Sequence, residues 1–97
     1  MTELRAKRRA KVRDGARCAM CYRAGNHWHL HSHHIIPKAQ RPDLAATVDN
    51  LVTLCLHCHL GIVHGGRIAD AKDARGNWAL WVPHLRRCVN RAKGATL

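Results

Sequence analysis

The chain has no phenylalanine, and its aromatic residues are Trp28, Trp78, Trp81 and Tyr22. A polypeptide of 97 residues with so few large rings makes at most one small domain with a limited core. No apolar run approaches the roughly eighteen residues that a membrane-spanning helix needs, so a membrane partner is excluded. The opening residues, MTELRAKRRAKVRDGARC, hold no apolar stretch of the kind a secretory signal requires. The expected location is therefore cytoplasmic, where reduced cysteines serve metals more readily than disulfides. Acidic residues are scarce as well: 6 Asp and Glu face 17 Lys and Arg, for a formal charge of +11. So strong a positive field on a small body points to a polyanion, and DNA is the expected partner.

The basic residues sit mostly at the ends. Residues 1–17 carry Arg5, Lys7, Arg8, Arg9, Lys11, Arg13 and Arg17, and residues 67–93 carry Arg67, Lys72, Arg75, Arg86, Arg87, Arg91 and Lys93. The middle, 18–64, holds four of the five cysteines and eight of the nine histidines. The expectation is one domain over 1–97: a basic helix or arm at 1–17, a chemical core at 18–64 and a basic helical region at 67–97. Arg8, Arg9, Arg13, Arg86 and Arg87 are candidate contacts to the DNA backbone, which position a duplex without reading its sequence. For any one of them, a solvated charged face is the competing reading.

Local patterns place these parts on elements. Residues 3–13 read as a helix capped by Thr2 and ended near Gly15, with a thin apolar stripe of Leu4, Ala6, Ala10 and Val12. So thin a stripe suggests order only on binding. Residues 27–35 lean toward a strand that Pro37 ends, 37–49 toward a loop, and 51–55 toward a second strand. A short helix is expected from Leu56 through His64, stopped by Gly65 and Gly66. Trp78, Trp81, Leu85, Cys88, Val89 and Ala92 recur at helical spacing, which makes the tryptophans core residues rather than base-stacking platforms and Cys88 a buried thiol. Pro83 suits the first turn of that helix better than its middle, with Gly76 and Asn77 forming a turn before it.

Cys18-Ala-Met-Cys21 and Cys55-Leu-His-Cys58 are two knuckles of equal spacing with 33 residues between them. Two intervening residues let a tight turn aim both sulfurs at one ion, and two such turns complete a tetrahedron. The expected cofactor is a structural Zn²⁺, whose four thiolates and two positive charges leave a net charge of about +9. Redox-active dithiols are the lesser reading, because no thioredoxin-like pattern surrounds either pair. Taken alone, Cys55-x-x-Cys58-His59 also matches a c-type haem attachment, which the missing export signal weighs against.

Between and beside the knuckles lie His33-His34-Ile35-Ile36-Pro37, Asp49-Asn50-Leu51-Val52-Thr53-Leu54 and Cys58-His59. In this order, with eight residues between Asn50 and His59, the sequence closely resembles the HNH endonuclease family. The resemblance covers residues 18 to 59, and extends toward 64. It implies a small α+β fold, the ββα-metal motif, here stapled by zinc and flanked by basic helices. It implies DNA phosphodiester hydrolysis, by nicking or double-strand cutting. Further, it implies His34 as general base, Asn50 as the holder of the loop that orients it, and His33 and His59 as ligands of a catalytic cation. A compact chain of this kind resembles the stand-alone bacterial or phage members. Some members carry a third histidine ligand four positions after the one at His59. Here His64 comes five positions after, about 140° round a regular helix, so it can serve as a ligand only if the helix distorts.

The chemistry of the residues agrees with these roles. Phosphodiester hydrolysis needs a deprotonated water and charge compensation at phosphorus and the leaving oxygen. A neutral imidazole accepts a proton near pH 7, and a divalent ion supplies the compensation. Mn²⁺, Ni²⁺, Zn²⁺ and Mg²⁺ are the candidate cations; imidazole ligands favour Mn²⁺ or Ni²⁺ over Mg²⁺. A non-catalytic zinc-ribbon DNA-binding module is the rival reading, which would not need the histidine and asparagine set. Because neighbours on a strand face opposite ways, His33 and His34 can share a site only if the strand twists or bulges. His29 and His31 share the face of His33; further ligands or groups that support the ligands are one reading of them, and exposed hairpin residues the favoured one. His57 receives no role, and His84 reads as surface. Oligomeric state, monomer or dimer, is not legible.

Overall fold

The computed structural model describes residues 1–24, 29–63 and 77–95. Helix α1 spans Glu3–Arg13, begun by Thr2, whose hydroxyl accepts a hydrogen bond from the Arg5 amide at 3.1 Å. Such a cap is worth about 1 kcal/mol. Only Ala6 and Ala10 of the expected stripe are buried; Leu4 and Val12 are exposed. The two alanines lie one turn apart and pack with Leu51, Ala46 and Val48, so small side chains let the helix sit close on the body. The helix is thus packed on the body of the protein.

A second device fastens α1. Arg13 donates to the carbonyls of Val48 (2.9 Å) and Leu51 (2.6 Å) and pairs with Asp14, whose other role is to accept from the Thr53 amide at 2.9 Å. Its side chain is 8% exposed and that of Asp14 1%. This corrects the expectation that Arg13 contacts DNA. Its guanidinium is turned inward and spent on backbone carbonyls that would otherwise lose their partners.

Strands β1 (Leu30–His34) and β2 (Leu51–Cys55) form an antiparallel pair with Leu30 opposite Cys55 and His34 opposite Leu51. β2 is buried along its whole length, with Val52, Leu54 and Cys55 in the main core and Leu51 under α1. The connection between the strands carries two short 3₁₀ turns, Pro42–Leu44 and Val48–Asn50. After β2 the chain enters a π-helical segment, His57–Val63, rather than a regular helix. The expected stop at Gly65-Gly66 lies outside the described residues.

Helix α2 spans Asn77–Ala95 and includes Pro83 in its interior, so it starts earlier than the proline suggests. Pro83 lies on the exposed side, while Leu85, Cys88 and Val89 enter the core and Trp78, Trp81 and Val82 pack against it. Burial pushes the Cys88 thiol up from its usual value. Among the described residues no helix is long and apolar enough to cross a membrane.

Candidate active site

The four cysteines of the two knuckles converge, their sulfurs all within 4.8 Å of one another. Each knuckle has the same local bond: the Cys21 amide points at Cys18 Sγ (3.5 Å) and the Cys58 amide at Cys55 Sγ (3.4 Å). The first knuckle is docked on β2 by the Ala19 amide, which donates to Thr53 O at 2.8 Å. Its turn closes through the Tyr22 amide on Cys18 O, and this leaves Tyr22 at φ +63°, a left-handed conformation that costs a side chain about 1 kcal/mol. The Arg91 guanidinium lies over the Tyr22 ring, 5.5 Å from its centre.

Cys21 and Cys55 have sulfurs 3.7 Å apart. That is too far for a disulfide and close to the roughly 3.8 Å edge of a tetrahedron with 2.3 Å metal–sulfur bonds. The donor set and its spacing therefore fit one Zn²⁺. Burial pushes the Cys21 and Cys58 thiols up. It acts likewise on Cys18, but hydrogen bonds from the backbone at Cys21, Cys55 and Met20 outweigh it and hold that thiol at about 7. The cluster thus has a thiol poised to become its first thiolate at neutral pH.

The histidines gather where β1 meets the π-helical segment. His33 is 4% exposed, and its ring meets that of His59 edge-on with centres 5.0 Å apart. His31, two residues earlier on the same face, also meets His59: the ring centres are 5.1 Å apart and the two Nδ1 atoms 2.9 Å. His34 is the last residue of β1 and belongs to the opposite face. Its Nε2 lies 3.0 Å from Ala45 O and 3.4 Å from Glu3 Oε1. An open cavity of about 230 Å³ is lined by Ser32, His33, His34, Pro37, Lys38 and His59. Both neighbouring histidines thus line one cavity although the pairing of β1 with β2 runs one-to-one without a bulge. The strand ends at His34, and the cavity wraps round that end.

Asn50 immediately precedes β2 and is buried. Its Oδ1 accepts from the Ile36 amide (3.0 Å), its Nδ2 donates to Ile36 O (3.1 Å), and its own carbonyl accepts from the Ile35 amide (2.8 Å). The segment that leaves β1 after His34 is therefore clamped by one side chain.

Two participants, Glu3 and Lys38, were not singled out from sequence, and a third, His31, was read chiefly as an exposed residue. Glu3 approaches His34 and binds Lys38 at 2.8 Å; the hydrogen bond from Lys38, with the charges of Lys38 and Lys7, holds its carboxyl below the usual range. Lys38 lines the cavity. His31 had a legible signal, its period-2 relation to His33, but nothing in sequence says that His59 faces it. His64 lies outside the described residues, as does the region 64–76. Arg8, Arg9, Arg86 and Arg87 are exposed. His84 is half-buried against Trp81, with ring centres 5.7 Å apart, rather than a plain surface residue.

No curated protein and no solved structure gave a significant match to the chain. The family model for the HNH endonuclease matches residues 18–63, from the first cysteine of the cluster to the end of the π-helical segment. That span holds both knuckles, the clamp of Asn50 and the histidines round the cavity, and over residues 18–63 the chain is similar to the HNH endonuclease family.

Proposed function

We propose that the chain is a metal-dependent endonuclease that hydrolyses DNA phosphodiester bonds, with His34 as general base. The observation that carries this reading is the contact of His34 Nε2 with Ala45 O at 3.0 Å. A carbonyl only accepts, so Nε2 holds the ring proton and Nδ1 keeps its lone pair. That tautomer can take a proton from a water in the cavity. The Glu3 carboxylate, 3.4 Å from Nε2, lies where positive charge develops on the ring as it does so.

His33 and His59 would hold the divalent cation, with His64 as a third ligand. A bound cation would supply charge compensation to the scissile phosphate and the departing 3′ oxygen, which leaves 3′-hydroxyl and 5′-phosphate ends. Asn50 would keep His34 aimed by fixing the segment behind it. Lys38 on the cavity rim, and Arg8, Arg9, Arg86 and Arg87 beyond it, would hold the DNA backbone. The cysteine cluster would hold a structural Zn²⁺, because four thiolates leave no position for substrate.

The test is plasmid nicking with added Mg²⁺, Mn²⁺ or Ni²⁺, comparing wild type with His34→Ala. Loss of a general base costs about 10²–10⁴ in rate, and the variant should keep its zinc and its fold. A variant that cuts like wild type would show that His34 is not the base. If the wild type binds DNA but cuts with none of these metals, the chain is a zinc-ribbon binding module instead.

A further inference from the structure

We infer that His31 is a positioning residue for the cation site: it fixes the ring of His59 in the tautomer that presents Nε2 to the cavity. The inference rests on the reading of His59 as a ligand and concerns a residue outside the set that the family resemblance supplies. Its basis is the 2.9 Å separation of the two Nδ1 atoms. Two ring nitrogens at that distance share one proton, one as donor and the other as acceptor. His59 lines the cavity and His31 does not. Among the described residues, His31, His33 and His59 do not form a group with ligand atoms mutually within 4.8 Å, whereas the four cysteines do. The cavity lining, which includes His59 and not His31, is what places His31 behind its partner.

The direction of the shared proton follows from what His59 must do. A ligating imidazole needs a lone pair on the atom that faces the metal. If His59 gives Nδ1–H to His31, its Nε2 carries the lone pair that a ligand needs. His31 must then accept at Nδ1 and hold its own proton on Nε2. A metal-bound histidine is usually oriented through its second nitrogen by a carboxylate, carbonyl or water. Here the same duty falls to a neutral histidine supplied by the strand, because residues two apart on β1 project to one face.

The test uses zinc-loaded full-length protein. Asparagine places an acceptor oxygen close to where histidine carries Nδ1, and leucine fills similar space without one. Titration with Ni²⁺ by calorimetry should show His31→Leu binding at least tenfold more weakly than wild type, and His31→Asn within a few fold of it. His29→Ala, on an exposed residue, should bind like wild type. In parallel, ¹⁵N NMR of the imidazole nitrogens in wild type without added Ni²⁺ should show His59 protonated at Nδ1. Equal Ni²⁺ affinity in wild type and His31→Leu, or His59 protonated at Nε2, overturns the inference. The NMR arm decides the matter even if the leucine variant misfolds. Plasmid cleavage separates the two readings. A wild type that cuts while His31→Leu binds Ni²⁺ normally sinks the role of His31 alone. A wild type that binds Ni²⁺ in a His31-dependent way yet never cuts sinks the nuclease reading alone.

Discussion

Asn50 grips Ile36 with both atoms of its amide, accepting from the backbone N–H at 3.0 Å and donating to the carbonyl at 3.1 Å. No other side-chain type can reproduce that pair of bonds without a change of length or of donor pattern. Asn50→Asp removes the donor and Asn50→Ala removes both. The first leaves the half-buried Ile36 carbonyl without its donor and the second leaves both Ile36 groups without partners, at about 1 kcal/mol for each bond. We expect Asn50→Ala to lower kcat for plasmid nicking by tenfold or more while KM for DNA changes little. Steady-state kinetics beside a thermal melt checks this; unchanged kcat in a folded variant would remove Asn50 from the mechanism.

Arg13 and Arg8 belong to the same helix and should respond in opposite ways. Arg13→Ala abandons Asp14 and two carbonyls in a nearly closed site, a loss of the order of 3–5 kcal/mol for a broken buried pair. Its melting temperature should fall sharply. Arg8→Ala and Arg9→Ala should melt like wild type, bind DNA more weakly, and each reduce the slope of log affinity against log salt by about one. Fluorescence anisotropy at several salt concentrations, paired with melts, reads both effects. An Arg13→Ala protein as stable as wild type would contradict the buried role.

Zinc content should be one ion per chain, and strong chelators should unfold the protein rather than simply inhibit it, because the cysteines replace core that a small chain lacks. Cys55→Ser should lose the ion. Cys88→Ser should keep it, since Cys88 stands on α2 and is not among the four clustered sulfurs. Mass spectrometry under native conditions distinguishes these outcomes, and a Cys88→Ser protein without zinc would refute the assignment.

Across a metal panel, Mn²⁺ or Ni²⁺ should support faster cleavage than Mg²⁺, because imidazole nitrogens are poor partners for Mg²⁺. Initial rates at saturating metal check it. A clear optimum with Mg²⁺ would argue against His33 and His59 as the ligand pair.

Periodicity and spacing carried much of the architecture. Thr2 as cap, the run 51–55 as strand and the knuckle pairing rest on local chemistry, and local chemistry is written in sequence. What was not legible depends on tertiary neighbours. Arg13 looks like Arg8 until the carbonyls of Val48 and Leu51 are brought to it. Pro83 looks like a helix start until an exposed position lets a helix absorb the missing N–H. His31 looks like surface until the π-helical segment delivers His59. For Arg13 and His31 the side chain's role is set by residues more than two dozen positions away in the chain, and no local pattern encodes that.

The fastening of α1 also bears on how this chain can exchange parts with others. Glu3 reaches His34 at one end of the helix, and Arg13 with Asp14 grips β2 at the other. A recombination point near residue 17 would therefore separate groups that must be inherited together. The helix is better regarded as a co-adapted half of one folded unit than as an interchangeable basic extension. Chimeras that swap residues 1–17 between relatives should fail unless Leu51, Thr53 and the carbonyl of Val48 find matching partners.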